Sequence, residues 1–211
     1  MPNQSGNAYG LTTMCPMISS SGRDESLAGL VRDRLNDLPT DQNSPLSRVP
    51  NTYFVRLFVL DNVVYQGSPA RLDALKNKYL VFNADFHGEL RPYLRAMWAS
   101  AEPFIRNIWE YCVGFGAVTD ATSFVRYIEK CQVTTTFYFN GSNDQPLDEQ
   151  LKALYLKQEL SKFVCEHQGR PAAELQAAFL EFVKRTRPAN LAGPTWRAGG
   201  SELESVVVGE T

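Results

Sequence analysis

The sequence has no long apolar run and no excess of basic residues. Its longest apolar stretches, near 53–60 and 133–139, are far shorter than the roughly 20 residues that a membrane-spanning helix needs. The 211-residue chain carries 21 lysines and arginines against 23 aspartates and glutamates, a formal charge of -2. Such a balance does not favour binding to a phosphate backbone. We therefore expect neither a membrane span nor nucleic acid as the main partner.

Cysteine and histidine are also scarce. The two histidines, His87 and His167, are too few for a three-histidine metal site, and an iron site of two histidines and one carboxylate would need both. The cysteines form no C-x-x-C pair of the kind found in structural zinc sites. We expect free, buried thiols in a reducing compartment, and no metal site. The four cysteines are Cys15, Cys112, Cys131 and Cys165.

Several targeting and catalytic motifs are missing as well. The first ten residues are polar and lack the basic-then-apolar pattern of a secretion signal, so the expected compartment is the cytoplasm. There is no G-x-S-x-G motif for a serine nucleophile. Gly114-Phe115-Gly116 lacks the third glycine of a dinucleotide-binding loop and does not follow a predicted strand. Neither nucleophilic catalysis nor dinucleotide binding is indicated.

What the sequence does contain is a pattern of strands and helices. β-branched and aromatic runs predict strands at 10–18, 53–60, 79–86 and 134–139. Helical spacing of apolar residues predicts helices at 22–38, from 88 to 112 with a break at Pro103, and at 120–130, 146–168 and 171–186. The order β-α-β-β-α-β is that of a ferredoxin-like antiparallel sheet, here with additional helices. We predict an α+β domain over 10–187, between a flexible N-terminus over 1–9 and a flexible tail over 188–211.

The strand predicted at 79–86 has one apolar face and one that becomes more polar along the chain, because side chains alternate between faces. Its polar face carries Asn83 and Asp85, with His87 just past the end, and its apolar face is expected to lie under the helices. In the neighbouring strand Arg56 lies between two phenylalanines. An unpaired buried charge is very costly. Arg56 is therefore expected to contact a carboxylate or to line a cavity.

Helices cover only one face of a ferredoxin-like sheet, and polar groups in an apolar frame on the other face are typical of a small-molecule pocket. Asp85 and His87 are predicted to transfer protons there, while Arg56 holds an anionic group. The alternative is a structural ion pair between Arg56 and Asp85, buried at a dimer interface with no ligand. The predicted ligand-binding residues are Arg56, Asn83, Tyr138 and Tyr53.

Parts of the chain resemble a group of bacterial proteins. In that group a P-x-T-H-F-x-R-x-x-x-L-D strand precedes an L-x-F-x-x-x-F-D-G strand, and a C-x-G-[FY] segment follows. The resemblance covers roughly residues 10–140, with Tyr53 and His87 standing where the group often has His and Asp. The similar segments in this chain are 44–61, 79–82, 86–88 and 109–115.

The group is similar to the dimeric α/β-barrel superfamily, which includes antibiotic-biosynthesis monooxygenases, chlorite dismutases and dye-decolorizing peroxidases. This resemblance alone raises haem as a cofactor, with His167 or His87 as the iron ligand; otherwise the cofactor is unknown. The G-x-x-D-G haem motif of the dye-decolorizing peroxidases is absent, so peroxidase activity is not implied.

Two classes of function follow from these patterns. The first is a protein that binds a small apolar or amphipathic molecule on the open sheet face, with oxidoreductase-like or isomerase-like chemistry. The second is a non-catalytic dimeric or accessory interaction protein. A homodimer is predicted, because an apolar open face exposes more than a monomer normally tolerates; the late helices at 146–186 are the alternative cover for this face.

Overall fold

The computed structural model describes residues 3–19, 24–62, 67–68, 74–141 and 144–196, which form an α+β fold. Its strands are β1 (Gln4–Ser5), β2 (Ala8–Pro16), β3 (Thr52–Asn62) and β4 (Ala74–His87). Its α-helices are α1 (Asp24–Asn36), α2 (Leu90–Trp109), α3 (Ala121–Cys131), α4 (Leu147–Glu166) and α5 (Ala172–Thr186). The chain divides into two compact units, Met1–Asp144 and Gln145–Thr211, where the sequence predicts one domain over 10–187.

The strands form one antiparallel sheet in the order β1-β2-β4-β3. β4 lies between β2 and β3, so that Leu80 has Cys15 opposite it on one side and Val59 on the other. The first three predicted strands are present, and all begin earlier than predicted, β3 by a single residue. β2 begins at Ala8, inside the predicted N-terminal extension, and β4 begins at Ala74, inside a stretch predicted to be a connection.

The predicted last strand at 134–139 is wrong. Only the residues just before it lie along the outer edge of β2: Gln132 forms a bridge with Thr13, and the Val133 N–H donates to the Thr12 carbonyl at 2.8 Å. The outer edge at the start of β2 is occupied by the two-residue β1. The ferredoxin-like order is therefore not confirmed, because it requires a full last strand along that edge.

Helices α1, α2 and α3 cover one face of the sheet. Phe86 of β4 stacks on Tyr93 of α2 with ring centroids 3.7 Å apart, and Phe82 meets Trp109 edge-on at 5.5 Å. Full burial of one phenylalanine contributes about 1.5–3 kcal/mol, so this layer decides which face of the sheet the helices take. As the alternation predicts, the covered side chains of β4 are apolar and buried: Leu80, Phe82, Ala84 and Phe86.

Local sequence signals set the ends and breaks of the helices. α2 is interrupted at Ala101, with φ -139° and ψ 25°, two residues before Pro103. A proline ring clashes with the preceding helical turn, which explains the predicted break. Asp120 caps α3 through a capping box with Ser123. None of the helices in the described ranges is both long and apolar enough to cross a membrane.

The C-terminal unit is a hairpin of α4 and α5, close to the two predicted late helices. Phe163 packs against Phe182 with centroids 5.1 Å apart. Lys152 is buried, and its ammonium donates to the carbonyls of Thr186 at 2.8 Å and Pro194 at 2.7 Å. This charge satisfies the C-terminal end of α5 and ties the following loop to the hairpin. Residues 197–211 of the predicted flexible tail lie outside the described residues.

Candidate functional site

The open face of the sheet, opposite α1 to α3, brings together the predicted polar residues. Arg56 of β3 lies directly opposite Asn83 of β4, which has Thr12 of β2 on its other side. Asp85 occupies the next position on this face and lies opposite Phe54. Directly opposite residues of antiparallel strands have Cβ atoms about 4.5–5.5 Å apart and point the same way. The sheet register alone therefore places these side chains side by side.

A segment over residues 132–141, which we call the strap, covers part of this face. The ring of Tyr138 lies against Gly10 so closely that a Cβ added to the glycine would be 2.6 Å from the ring. Asn3 anchors the strap, because its side-chain amide donates to the Thr135 hydroxyl at 3.2 Å and to the Gly10 carbonyl at 3.0 Å. Tyr138 thus reaches the predicted face, although the strand expected to carry it does not form.

Asp85 and Tyr138 form the electrostatic centre of the open face. Burial raises the pKa of the Asp85 carboxyl, and a hydrogen bond with Tyr138 and the charge of Arg56 offset this only in part. Burial and the charge of Asp85 raise the pKa of Tyr138 to about 12. The phenol therefore keeps its proton at neutral pH, while the carboxyl binds a proton more readily than an exposed aspartate does.

Tyr53 and His87 form a second polar pair on the same sheet. The Tyr53 hydroxyl lies 3.1 Å from His87 Nδ1, and the two rings meet edge-on with centroids 6.4 Å apart. The register between β3 and β4 shifts between Thr52 and Phe54, and a shift of this kind re-aims the side chain that it contains. The irregularity explains how Tyr53 reaches His87 from the strand end.

Arg56 is exposed in the single chain, and its predicted ion pair with Asp85, buried at a dimer interface, stays a prediction. β3 lies at the edge of the sheet, so its open-face side chains have a neighbouring strand, β4, on one side only. The guanidinium lies 5.5 Å from the ring centroid of Phe54. No ion pair of the described residues joins it to a carboxylate. Arg56 is therefore accessible to an anion from solution.

The side-chain oxygen Oδ1 of Asn83 is buried without a hydrogen-bond donor among the described residues. Leaving a buried acceptor without a donor costs on the order of 1–3 kcal/mol. Asn83 lies between Arg56 and Thr12 in the sheet, so this acceptor belongs to the same part of the open face as the guanidinium.

Two parts of this site are missed by reasoning from sequence alone. Asn3 falls in the predicted N-terminal extension, yet it is buried and holds the strap. Gly10 falls inside a predicted strand, and an isolated glycine there often marks close approach of another group. Gly10 is therefore the feature of the sequence that could have indicated the strap packing against β2.

Three cysteines meet on the helix-covered side, a grouping that their sequence spacing does not reveal. Cys15 of β2 interacts with Cys112 and Cys131, and main-chain bridges from Thr13 to Gln132 and from Met17, just after β2, to Cys112 bring these segments together. The contact with Cys112 raises the pKa of Cys15 to about 11, which makes it a poor nucleophile. Burial is confirmed for Cys15 and Cys112, but Cys131 is partly exposed and the prediction is wrong for Cys165.

Each histidine makes a contact through its Nδ1. His167 follows α4, its Nδ1 lies 2.9 Å from the Phe163 carbonyl, and its ring stacks on that phenylalanine at 4.3 Å. His87 is engaged with Tyr53. Within the described parts of the chain, no group of three or more His, Cys, Asp or Glu side chains is arranged to hold a metal ion.

Fold and site together define an α+β protein with a polar cluster on the partly covered face of an antiparallel sheet. The chain matches no protein family model, no curated protein and no solved structure. The role of the open face has to be inferred from its own residues.

Proposed function

We propose that this protein binds a small amphipathic molecule with an acidic group on the open face of its sheet. The observation that carries the proposal is Arg56, an exposed cation without a carboxylate partner among the described residues. It lies between Phe54 and Phe58, which are 47% and 41% exposed. A guanidinium framed by aromatic rings favours a planar anion with an apolar body.

Asp85 and His87 are the proposed proton-transfer groups. A carboxyl whose pKa is raised by burial holds a proton closer to neutral pH, which is what a general acid or base requires. The contact with Tyr53 holds His87 in place beside the same surface. The proposal therefore includes isomerase-like or oxidoreductase-like proton transfer, without naming a reaction.

The arrangement of β2, β4 and β3 supports a distant relationship to ferredoxin-like and dimeric α/β-barrel proteins. β4 pairs antiparallel with both neighbours, and α1 lies between β2 and β3 in the chain. A split β-α-β unit of this kind is part of the ferredoxin-like motif. We propose both this distant relationship and the predicted homodimer.

A second candidate is a non-catalytic interaction protein. The specific observation in its favour is that four phenylalanines remain at least two-fifths exposed. Large exposed apolar patches commonly mark contact sites with other proteins. These four residues are Phe54, Phe58, Phe137 and Phe139.

Native mass spectrometry of the protein purified from its own host tests the ligand proposal. We expect the wild type to carry a small acid and Arg56→Met to lose it, because the substitution removes the cation and keeps most of the apolar stem. Arg95→Met is the matched control, since Arg95 is an exposed arginine of α2 on the helix-covered side. A ligand that Arg56→Met retains as well as the wild type does, or its absence from every preparation, contradicts the proposal.

A further inference from the structure

The strap carries the two most exposed large apolar side chains in the described residues. Phe137 is 81% exposed and Phe139 is 73% exposed. Tyr138, between them, points toward Gly10. Side chains of an extended chain alternate in direction, so packing Tyr138 on the sheet turns both phenylalanines outward.

The main chain of residues 134–139, inside the strap, is largely unpaired. In residues 134–139 the one main-chain hydrogen bond to another described residue runs from the Thr135 N–H to Asn3 Oδ1, at 3.4 Å. Threonine, phenylalanine and tyrosine all favour strands. A strand-forming segment left without a strand partner is a local conflict, and such conflicts occur mainly at functional sites. Unpaired extended chain is also a template for pairing with another chain.

The charge of the strap indicates which partner it fits. Residues 132–143 contain no charged side chain. A different protein is usually selected through complementary charges. In a two-fold contact between identical copies, the same segment lies near itself, and a charge there would face its like. An uncharged aromatic segment therefore favours a second copy of this chain.

The exposed area agrees with a dimer contact. Phe54 and Phe58 lie on the open face that Tyr138 partly covers, so all four phenylalanines are on one side of the sheet. At about 200 Å² for one phenylalanine, their exposed fractions amount to on the order of 500 Å². A standard interface buries about 800 Å² per partner, of which about 65% is apolar in homodimers. The exposed area of the four phenylalanines is therefore about equal to the apolar area that one partner buries in a standard homodimer interface.

We infer that the strap binds the strap of a second copy of this chain, with Phe137 and Phe139 of each copy packed against those of the other. The second copy then lies over the open face and shields the apolar frame of Arg56 from water. This inference rests on the homodimer of the proposed function and does not depend on the ligand.

Sedimentation of the full chain, with variants at the strap, tests this contact. We expect the wild type to dimerise at micromolar concentrations, and Phe137→Glu with Phe139→Glu to weaken the dimer at least about tenfold, because aromatic residues at an interface centre are hot spots. Both side chains are exposed, so the fold should tolerate the change. Leu30→Glu is the control: Leu30 is an exposed leucine of α1, on the helix-covered side, and its substitution should leave the dimer intact.

Disulfide trapping gives a second measurement that keeps both phenylalanines. With Cys165→Ser removing the exposed thiol, Thr136→Cys should link two copies under mild oxidation, because Thr136 is exposed in the strap. A dimer that survives the double glutamate variant and does not crosslink at position 136 overturns the strap contact alone. A wild-type chain that stays monomeric at high micromolar concentration overturns the homodimer itself, and the comparison of Arg56→Met with Arg95→Met tests the ligand proposal separately.

Discussion

At the scale of single residues, proton exchange on the open face depends on Asp85. Its carboxyl is partly withdrawn from water between Tyr138 and Phe54, and burial outweighs the two interactions that favour its charge. A carboxyl with a raised pKa binds its proton better in the folded state than in the unfolded chain. Its contribution to stability is therefore present at low pH and is lost as the pH rises through the raised pKa.

The variant Asp85→Asn should remove that pH dependence. We expect its melting temperature to exceed that of the wild type at neutral pH, and the difference to vanish toward about pH 3, below the usual aspartate pKa of about 3.9. Melting curves across this range check the prediction, with the exposed Asp33→Asn as control for loss of a charge. A variant less stable than the wild type at neutral pH would show that the charged form of Asp85 is favoured.

Single residues also show what alternation in the sequence can and cannot predict. It places Arg56, Asn83 and Asp85 on one face correctly, because register and alternation are local properties of paired strands. It does not predict that Arg56 is exposed, because exposure depends on which strand lies at the sheet edge. Edge position is a property of the whole sheet.

At the scale of elements, the strap shows how neighbouring segments override local preference. Residues 134–139 favour a strand, but the edge that they would need is partly taken by β1. Asn3 then holds Thr135 through its side chain, and Tyr138 packs across Gly10. Strand preference depends on cross-strand packing more than on the backbone, so a short competing segment decides the outcome.

Gly10→Ala tests this packing directly. The added methyl would be 2.6 Å from the Tyr138 ring, so we expect the strap to shift, at a cost of about 1–3 kcal/mol in the free energy of unfolding. Hydrogen exchange of the amides in 134–139 should speed up.

Gly29→Ala is the control for Gly10→Ala. Gly29 lies inside α1 and an added methyl meets nothing within 4 Å. Removing a glycine from a helix interior should stabilise by about 0.5–1 kcal/mol. Equal effects of the two substitutions, or an unchanged exchange rate in the strap, would be inconsistent with Tyr138 packing on Gly10.

The C-terminal hairpin depends on a buried lysine. Lys152→Met removes two charge-assisted hydrogen bonds, to the carbonyls of Thr186 and Pro194. Bonds to a charged group contribute about 1.5–3 kcal/mol each, so we expect α5 to become less stable by at least about 2 kcal/mol. Hydrogen exchange in α5 measures the loss. The control is Lys184→Met. The Lys184 ammonium pairs with Glu181 at 3.5 Å on an exposed surface, so this substitution should change the free energy of unfolding very little.

At the scale of the whole molecule, the residues proposed to act all belong to the unit Met1–Asp144. Helix positions follow from apolar spacing, because this spacing is a property of short stretches of chain. The role of the N-terminal residues could not be predicted in this way. Asn3 and Thr135 are 132 positions apart in sequence, and no local pattern connects them.

The most direct test of the proposed role of the open face is an amide chemical-shift titration of the full chain with 2-naphthoate as the probe. We predict saturable shifts at residues 54–58 and 81–87, because the acid should contact Arg56 while its rings lie on Phe54 and Phe58. The shifts should disappear in Arg56→Met and persist in Arg95→Met. Shifts confined to the helix-covered side, or equal in wild type and Arg56→Met, would contradict a ligand site on this face.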